Sequence, residues 1–272
     1  MRNEYAAVAH HYWGRPGGGE VVCASVVYAF NVLGFEPVIA TTFAFNKEKY
    51  IEWFGIDLSE YKVEALFKFG LKAFGLYSRL INWVALEKVI SKYNSRLVFI
   101  DNGLYKPIVN LLKERTLIEY IHFPFEVSIY ETFKGSGFYY TEDPYIMERY
   151  GRSLMRVYWL GYAKLLPLFL RENPFDVASL VLTNSKWTAE MSKQVYGERP
   201  EVLNPPIPPN AEIVEHVKEF DKRKNNIVMI GRFSEEKRYH WVIEEILPKI
   251  RREASDAKLF IFGGAGTRTS MS

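Results

Sequence analysis

The sequence predicts an α/β fold in which helices cover both faces of parallel sheets. Seven apolar runs of strand length recur along the 272 residues, with helical patterns between them. Most of these runs are continuously apolar, which is typical of strands buried on both faces. A segment rich in proline and then in charge, Leu203–Asn226, separates the first five runs from the last two. Because proline removes backbone donors and charged residues supply no core, this segment predicts a linker between two α/β units.

The predicted elements follow one another as such a fold requires. The first helix covers Glu20–Leu33, where apolar residues recur at helical spacing, and Gly34 ends it. The boundary falls near Pro205, so the predicted N-terminal domain covers 1–204, and 205–272 holds the linker and the second domain. The predicted strands are Tyr5–His10, Pro37–Thr42, Arg96–Asp101, Leu117–Phe123, Ala178–Asn184, Asn226–Gly231 and Lys258–Gly263.

The composition is that of a globular protein, with 48% hydrophobic residues and a net charge of +3. This charge is too small, and the aromatic residues are too scattered, to predict a nucleic-acid partner. The single cysteine, Cys23, excludes a disulfide framework, and it is predicted to be a small buried residue on the first helix. The start of the sequence does not resemble a signal peptide, and no apolar stretch reaches about 18 residues, so we predict a cytoplasmic protein.

A glycine loop, Gly17–Gly19, stands between the first predicted strand and the first predicted helix. Backbone amides at a helix N-terminus favour an anion. A P-loop would need lysine after the last glycine, where Glu20 stands, and a dinucleotide fingerprint would need glycine at Val22 and an acid near Thr41. From these residues alone, the loop either binds an anion or only makes a tight turn.

Two cations follow the first strand of the second unit. Arg232 and Lys237 lie five residues apart on the segment that leads from Gly231 into a helix. Two such cations beside a helix N-terminus can bind a diphosphate, the arginine through its planar fork and the lysine as a mobile point charge. The alternative is that both are solvated loop charges paired with Glu235 and Glu236.

Four short motifs occur together and in order: GGGE after the first strand, LTNSKWTAEMSKQVYG, VLNPPIPP, and GRFSEEK at the start of the second unit. In this combination the sequence resembles glycosyltransferase family 4, the retaining GT-B enzymes that take sugars from nucleotide diphosphate donors. Within that family it is most similar to the mannosyltransferases that elongate the lipid-linked precursor of N-glycans. The resemblance covers most of the chain.

The resemblance implies a GT-B architecture, a Rossmann-like acceptor-side domain followed by a Rossmann-like donor-binding domain. It implies that Arg232 and Lys237 bind the donor diphosphate, while Gly18 and Gly19 let the backbone approach the donor. The glycine loop then needs no lysine, because the cations come from the facing domain. The donor is a substrate, and no cofactor is expected.

His122 is the active-site residue that the resemblance implies. It ends a strand of the first domain and is followed by Pro124, a position from which a side chain can reach a cleft. The alternative is a histidine hydrogen-bonded within the edge of the sheet. His10 and His11 lie just before the glycine loop. Because the five histidines have no carboxylate at close spacing, we predict no metal site.

The resemblance also implies that the second domain is incomplete. Members of the family continue beyond the point where this sequence ends, and they carry there a motif of two glutamates that contacts the donor. The chain is therefore expected to be a C-terminally truncated form. Its two parallel strands and single helix would leave apolar faces uncovered.

Two helical, aromatic and basic segments, Lys62–Tyr93 and Arg152–Asn173, suit the interface of an anionic membrane. They suit the core of the first domain equally, so peripheral membrane contact and ordinary packing both stay open. The predicted function is transfer of a hexose, with mannose expected, from a nucleotide diphosphate sugar to a lipid-linked or other glycan. The alternative is a non-catalytic module that binds a nucleotide sugar or glycan, and release of sugar from the donor distinguishes the two.

Overall fold

The computed structural model confirms the α/β architecture. It describes residues 4–69, 75–101, 103–124, 153–170, 173–212, 218–233 and 237–264. The chain divides into two compact units, of which the first is Met1–Lys134 with Tyr162–Ala211 and the second is Gly135–Gly161 with Glu212–Ser272.

The first unit contains a seven-stranded sheet in which all neighbouring strands are parallel. Its strands are β1 (Tyr5–Ala9), β2 (Glu36–Phe43), β3 (Lys62–Phe67), β4 (Leu97–Asp101), β5 (Thr116–Ile121), β6 (Leu180–Thr183) and β7 (Glu201–Val202). Their order across the sheet is β3-β2-β1-β4-β5-β6-β7. All five strands predicted for this unit are confirmed, with ends that shift by one or two residues.

Helices connect the strands of the first unit. They are α1 (Gly18–Val32), α2 (Lys49–Phe54), α3 (Gly75–Tyr93), α4 (Val109–Lys113), α5 (Ser153–Phe169, of which the part from Tyr162 belongs to this unit) and α6 (Lys186–Tyr196). Short 3-10 helices precede α4 at Lys106–Ile108 and precede β6 at Pro174–Asp176. Helix α1 begins two residues before the predicted start, and Gly34 follows its end at a φ of 89° that favours glycine.

The sheet is covered on both faces, as its continuously apolar strands predict. Ala6 and Val8 of β1 pack in one core cluster with residues of α1. The alternate residues Ala7 and Ala9 pack in a second cluster with residues of α3. Since successive side chains of a strand point to opposite faces, a central strand of this sheet must be apolar at every position.

The segment Lys62–Tyr93, predicted to be helical throughout, is instead strand β3 followed by helix α3. The sequence pattern does not indicate this strand, because a charged residue, Glu64, occupies one of its interior positions. Glu64 is only 9% exposed. Lys88 and Lys92 of α3 pair with its carboxylate at 2.7 and 2.5 Å, and the Tyr93 hydroxyl donates to it at 2.9 Å. Burial alone would raise the pKa of Glu64, but hydrogen bonds from these partners lower it to about 2.

The order of strands reverses between β1 and β4. From β1 the chain moves outward to β2 and β3, then returns to the other side of β1 with β4 and continues to β5. In open parallel sheets, ligands bind outside the carboxyl ends of the strands at such a point of reversal. His10, Asp101 and His122 lie at the carboxyl ends of β1, β4 and β5, and α1 begins beside them.

The second unit contains two parallel strands, β8 (Asn226–Ile230) and β9 (Lys258–Phe262), as predicted. A helical segment joins them and consists of α7 (Tyr239–Trp241), a π-helical turn (Val242–Ile246) and α8 (Leu247–Glu253). Large apolar side chains of both strands are exposed, among them Ile230 at 80% and Phe262 at 56%. Among the described residues of the whole chain, none of the helices is both long enough and apolar enough to cross a membrane.

Candidate functional site

The candidate site lies in the first unit at the reversal of strand order. Its centre is a His–Asp–His cluster formed by His10, Asp101 and His122. The Nδ1 atom of His10 lies 2.5 Å from Oδ2 of Asp101, and the Nε2 atom of His122 lies 2.6 Å from Oδ1 of the same carboxylate. One aspartate thus contacts two imidazole rings, one through each oxygen.

The cluster is largely removed from solvent but open at one side. The side chains of Asp101 and His10 are 2% and 7% exposed, whereas that of His122 is 26% exposed. Parallel strands bring their carboxyl ends to one edge of the sheet, which is why residues so distant in sequence meet here. Of the three, His122 is the side chain that a ligand can reach.

The glycine loop closes one side of the cluster. Gly17 precedes α1 with an extended backbone, and Gly18 and Gly19 are the first residues of that helix. A methyl group on Gly19 would lie 3.2 Å from Oδ2 of Asp101 and 3.5 Å from Nε2 of His122, whereas one on Gly18 would have no neighbour within 4 Å. The structure therefore brings Gly19 together with His122, while Gly18 faces open space.

Glu20 turns back over the start of its own helix. A methyl group on Gly17 would collide with its carboxylate, and Oε1 of Glu20 lies 3.9 Å from Nε2 of His10. An internal carboxylate thus lies where the helix N-terminus favours negative charge. An anion bound at the glycine loop would compete with Glu20 for that position.

The charges of the cluster follow from burial and from pairing. Burial alone would raise the pKa of Asp101, but His122 and His10 hold it below its ordinary value. Burial alone would likewise lower the pKa of His10, but the neighbouring Cys23 and Asp101 hold it well above its ordinary value. Burial also raises the pKa of the Cys23 thiol to about 12. Because that thiol is neutral near pH 7, we attribute the charged state of His10 to Asp101.

The pKa values of the two adjacent histidines, His10 and His11, shift in opposite directions. Burial and the positive charges of His10 and Arg79 lower the pKa of His11 well below its ordinary value. We therefore expect His11 to lose its proton at a lower pH, and His10 at a higher pH, than a histidine in an unfolded peptide. Titration of the imidazole signals by NMR, assigned with His10→Asn and His11→Asn variants, measures both. Indistinguishable midpoints would contradict the pairing of His10 with Asp101.

The argument that no carboxylate accompanies the histidines is wrong, because folding places Asp101 between two of them. Among the described residues, the ligand atoms of His10, Cys23 and Asp101 lie within 4.8 Å of one another. Two ligands of one tetrahedral zinc ion are roughly 3.3 Å apart, since each lies about 2.0–2.1 Å from the metal. The contacts of 2.5 and 2.6 Å are shorter and fit shared protons better than a shared ion.

The main chain of His122 is fixed by the segment that begins α6. Asn184 donates from Nδ2 to the carbonyl oxygen of His122 at 2.8 Å, and Thr188 donates from Oγ1 to Oδ1 of Asn184 at 2.6 Å. Ser185 caps the helix by accepting from the backbone N–H of Thr188 at 3.1 Å. The asparagine–serine–x–tryptophan–threonine motif therefore has a local structural role beside His122. Trp187 stacks on Phe123, with ring centroids 5.7 Å apart.

Arg232 and Lys237 lie in the second unit, after β8. Both are exposed, and the aliphatic part of Lys237 packs beside Gly231, where an added methyl group would lie 3.5 Å from its Cε. Both cations thus lie close to the carboxyl end of a parallel strand, as predicted. Glu235 and Glu236, the partners considered for these cations, fall outside the described residues.

Sequence reasoning missed Asp101 and the position of Glu20. Asp101 ends the third predicted strand as His10 ends the first, and His122 is the last residue but one of the fourth. That shared position was a usable signal, since carboxyl ends of parallel strands meet at one edge. Cys23 is fully buried on α1, as predicted.

Comparison with known proteins does not assign the chain to a family. No family model matches it, and no curated protein matches it. The function must therefore be argued from the residues and geometry of the chain itself.

Proposed function

We propose that the protein is a retaining GT-B glycosyltransferase that transfers a hexose, with mannose expected, from a nucleotide diphosphate sugar to a lipid-linked or other glycan. The observation that carries the proposal is the His–Asp–His cluster beside the glycine loop, at the reversal of strand order in a parallel sheet. Such a position is where open α/β sheets bind their ligands. The partly exposed His122 supplies a polar group at the mouth of the site.

In this proposal His122 acts at the reacting centre. The bond between the sugar C1 and the leaving phosphate oxygen breaks, and a bond forms between C1 and the acceptor oxygen on the same face. The acceptor proton passes to the leaving phosphate, so no carboxylate nucleophile is required. His122 orients the sugar, and Gly18 and Gly19 let the donor approach the backbone closely.

Arg232 and Lys237 bind the diphosphate of the donor. Negative charge builds up on the leaving group as the C1–O bond breaks, and two cations stabilise it more in the transition state than in the bound substrate. The two residues follow β8 in the second unit, and both are exposed.

The exposed apolar side chains of α5 support a lipid-linked acceptor. Leu154, Val157 and Leu160 are 82%, 68% and 44% exposed, and Arg156 lies among them. A helix that exposes apolar residues beside a cation suits the surface of an anionic membrane. In the proposal, this helix brings the enzyme to an acceptor that is itself anchored in lipid.

The test is release of nucleoside diphosphate from a panel of GDP-, UDP- and ADP-linked hexoses, with a lipid-linked glycan as the acceptor. Arg232→Ala and Lys237→Ala should each lower turnover by about 10²-fold, the scale for loss of one preorganised charge contact. His122→Ala should reduce transfer far more than donor affinity, because it acts mainly in the transition state. Lys249→Ala, which removes an exposed lysine of α8, is the matched control.

Two results would contradict the proposal. Full activity in both the Arg232→Ala and the Lys237→Ala variant would remove the assigned diphosphate site. Binding of a nucleotide sugar without any release of nucleoside diphosphate would instead favour a non-catalytic binding module.

A further inference from the structure

Asp101 contacts both imidazoles of the cluster, and Cys23 contacts that of His10 as well. Both ring nitrogens of His10 and the Nε2 atom of His122 are buried. Oxygen atoms of Asp101 lie 2.5 and 2.6 Å from Nδ1 of His10 and Nε2 of His122. One carboxylate thus faces a nitrogen of each ring.

The chemistry of the carboxylate decides which nitrogens carry protons. An ionised aspartate only accepts hydrogen bonds, so a ring nitrogen that faces it at this distance must be a donor. Nδ1 of His10 and Nε2 of His122 then each carry a proton. The tautomer of a neutral imidazole is set in general by the hydrogen bond that one nitrogen makes.

The side chain of His122 is 26% exposed although its Nε2 atom is buried. The Nδ1 atom is thus the one ring nitrogen of His122 that is not committed to the carboxylate. Asn184 fixes the main chain of the same residue through its carbonyl oxygen.

We propose that Asp101 is the positioning residue for His122, because it accepts the Nε2–H proton and so leaves Nδ1 as the nitrogen that contacts the ligand. His10 donates to the second oxygen of the same carboxylate and prevents it from rotating. The inference rests on the proposed function in one respect, namely that the ligand which Nδ1 contacts is the donor sugar.

Other charged groups face the cluster from the elements packed around it. Glu20 and Cys23 of α1 lie beside His10, and Arg79 of α3 acts on the neighbouring His11. Burial and Asp101 raise the pKa of the Cys23 thiol to about 12, so the thiol does not compete with Asp101 as a negative charge. Glu20 is farther from His10 than Asp101 is, at 3.9 Å against 2.5 Å. Asp101 is therefore the group that sets the protonation of the facing nitrogens.

Asp101→Asn is the sharpest test, since the amide has nearly the same shape but carries one donor and one acceptor. It can accept from one imidazole only, and it presents a donor to the other. In the wild-type chain labelled with ¹⁵N-histidine, we expect the NMR signature of His122 to show a protonated Nε2. In Asp101→Asn this signature should change at His10 or His122, whereas the exposed control Asp57→Asn should leave it unchanged.

Transfer should fall at least about 10-fold in Asp101→Asn while donor affinity changes little, because a carboxylate that fixes the tautomer of a reacting histidine can contribute up to about 10⁴-fold. A wild-type His122 with an unprotonated Nε2 would overturn the inference, and that measurement does not depend on whether the variant folds. Unchanged ¹⁵N signals and unchanged transfer in Asp101→Asn would also overturn it. A protonated Nε2 in a protein that transfers no sugar would support the positioning by Asp101 and contradict the proposed function.

Discussion

Replacing Asp101 with alanine is expected to lower the free energy of unfolding of the first unit by about 3–5 kcal/mol, the usual cost of removing one partner from a buried ion pair. The carboxylate is 2% exposed and contacts two imidazoles, of which that of His10 is also buried, at 7% exposure. Without Asp101, His10 must either bury an unpaired positive charge or give up its proton. Both alternatives disfavour the folded state.

The destabilisation by Asp101→Ala should depend on pH in a way that identifies the ion pair between Asp101 and His10 as its cause. The lowered pKa of Asp101 contributes stability that is present above the ordinary aspartate value of about 3.9 and is lost as the pH falls through the folded pKa. The raised pKa of His10 contributes stability that is complete below about 6.5 and is lost as the pH rises through the folded pKa. The two contributions coincide between about pH 4 and pH 6.5. The destabilisation by Asp101→Ala should therefore be largest there.

Urea denaturation measures the stability of this unit alone when it is monitored by hydrogen exchange in peptides from β1 and β4. The control is Asp57→Ala, which removes an exposed carboxylate that accepts from the backbone N–H of Ser59 at 2.8 Å. Its effect should be small and should not change between pH 6 and pH 9, because no histidine depends on it. A destabilisation by Asp101→Ala below about 1 kcal/mol, or one that is equal at pH 6 and pH 9, would show that the cluster is not held by ion pairing.

The parallel sheet could be predicted from the sequence because a buried parallel strand leaves a signal in its own residues. β1, with Ala6 and Val8 toward α1 and Ala7 and Ala9 toward α3, is apolar at every position and is easily found. β3 could not be found in this way. Its interior position is filled by Glu64, whose charge is stabilised by Lys88 and Lys92 from a helix that follows later in the chain. A stabilising partner that is distant in sequence leaves no local pattern.

The site could be predicted only in part, because only some of its residues have a local sequence signal. His122 was found because it ends a strand and because its surroundings resemble a known motif. Asp101 carries no motif, and its importance arises only when β4 lies between β1 and β5. The order of strands in a sheet is set by packing of the whole unit, so the neighbours of Asp101 could not be derived from its local sequence.

Replacing Gly19 with valine is also expected to lower the stability of the first unit and to displace the His–Asp–His cluster. The Cβ of a residue at this position would lie 3.2 Å from Oδ2 of Asp101, 3.3 Å from Cε1 of His10 and 3.5 Å from Nε2 of His122. Those contacts are already tight for a methyl group, and the two further methyl groups of valine have no room without displacing the cluster. Overpacking of this kind costs about 1–3 kcal/mol.

Gly18→Val is the matched control for stability, because it introduces the same side chain at the preceding residue of α1. A Cβ at Gly18 meets no atom within 4 Å, so the imidazole signals of His10 and His122 should be unchanged in this variant. In Gly19→Val both signals should shift, and the unfolding midpoint of the first unit should fall. Equal stability of the two variants would mean that the glycine loop does not close on the cluster.

Gly19→Val, compared with Asp101→Asn, also tests the glycine loop as a ligand site. If a nucleotide diphosphate sugar lies against His122, the valine at residue 19 occupies part of its position as well as displacing the ring. Donor affinity measured by calorimetry should then fall by at least about tenfold, which corresponds to roughly 1.4 kcal/mol. Asp101→Asn preserves the glycine loop and should change affinity little, so the two substitutions separate occupation of the site from orientation of His122. A Gly19→Val protein that binds the donor as tightly as wild type would place the donor elsewhere, whatever the effect of Asp101→Asn on transfer.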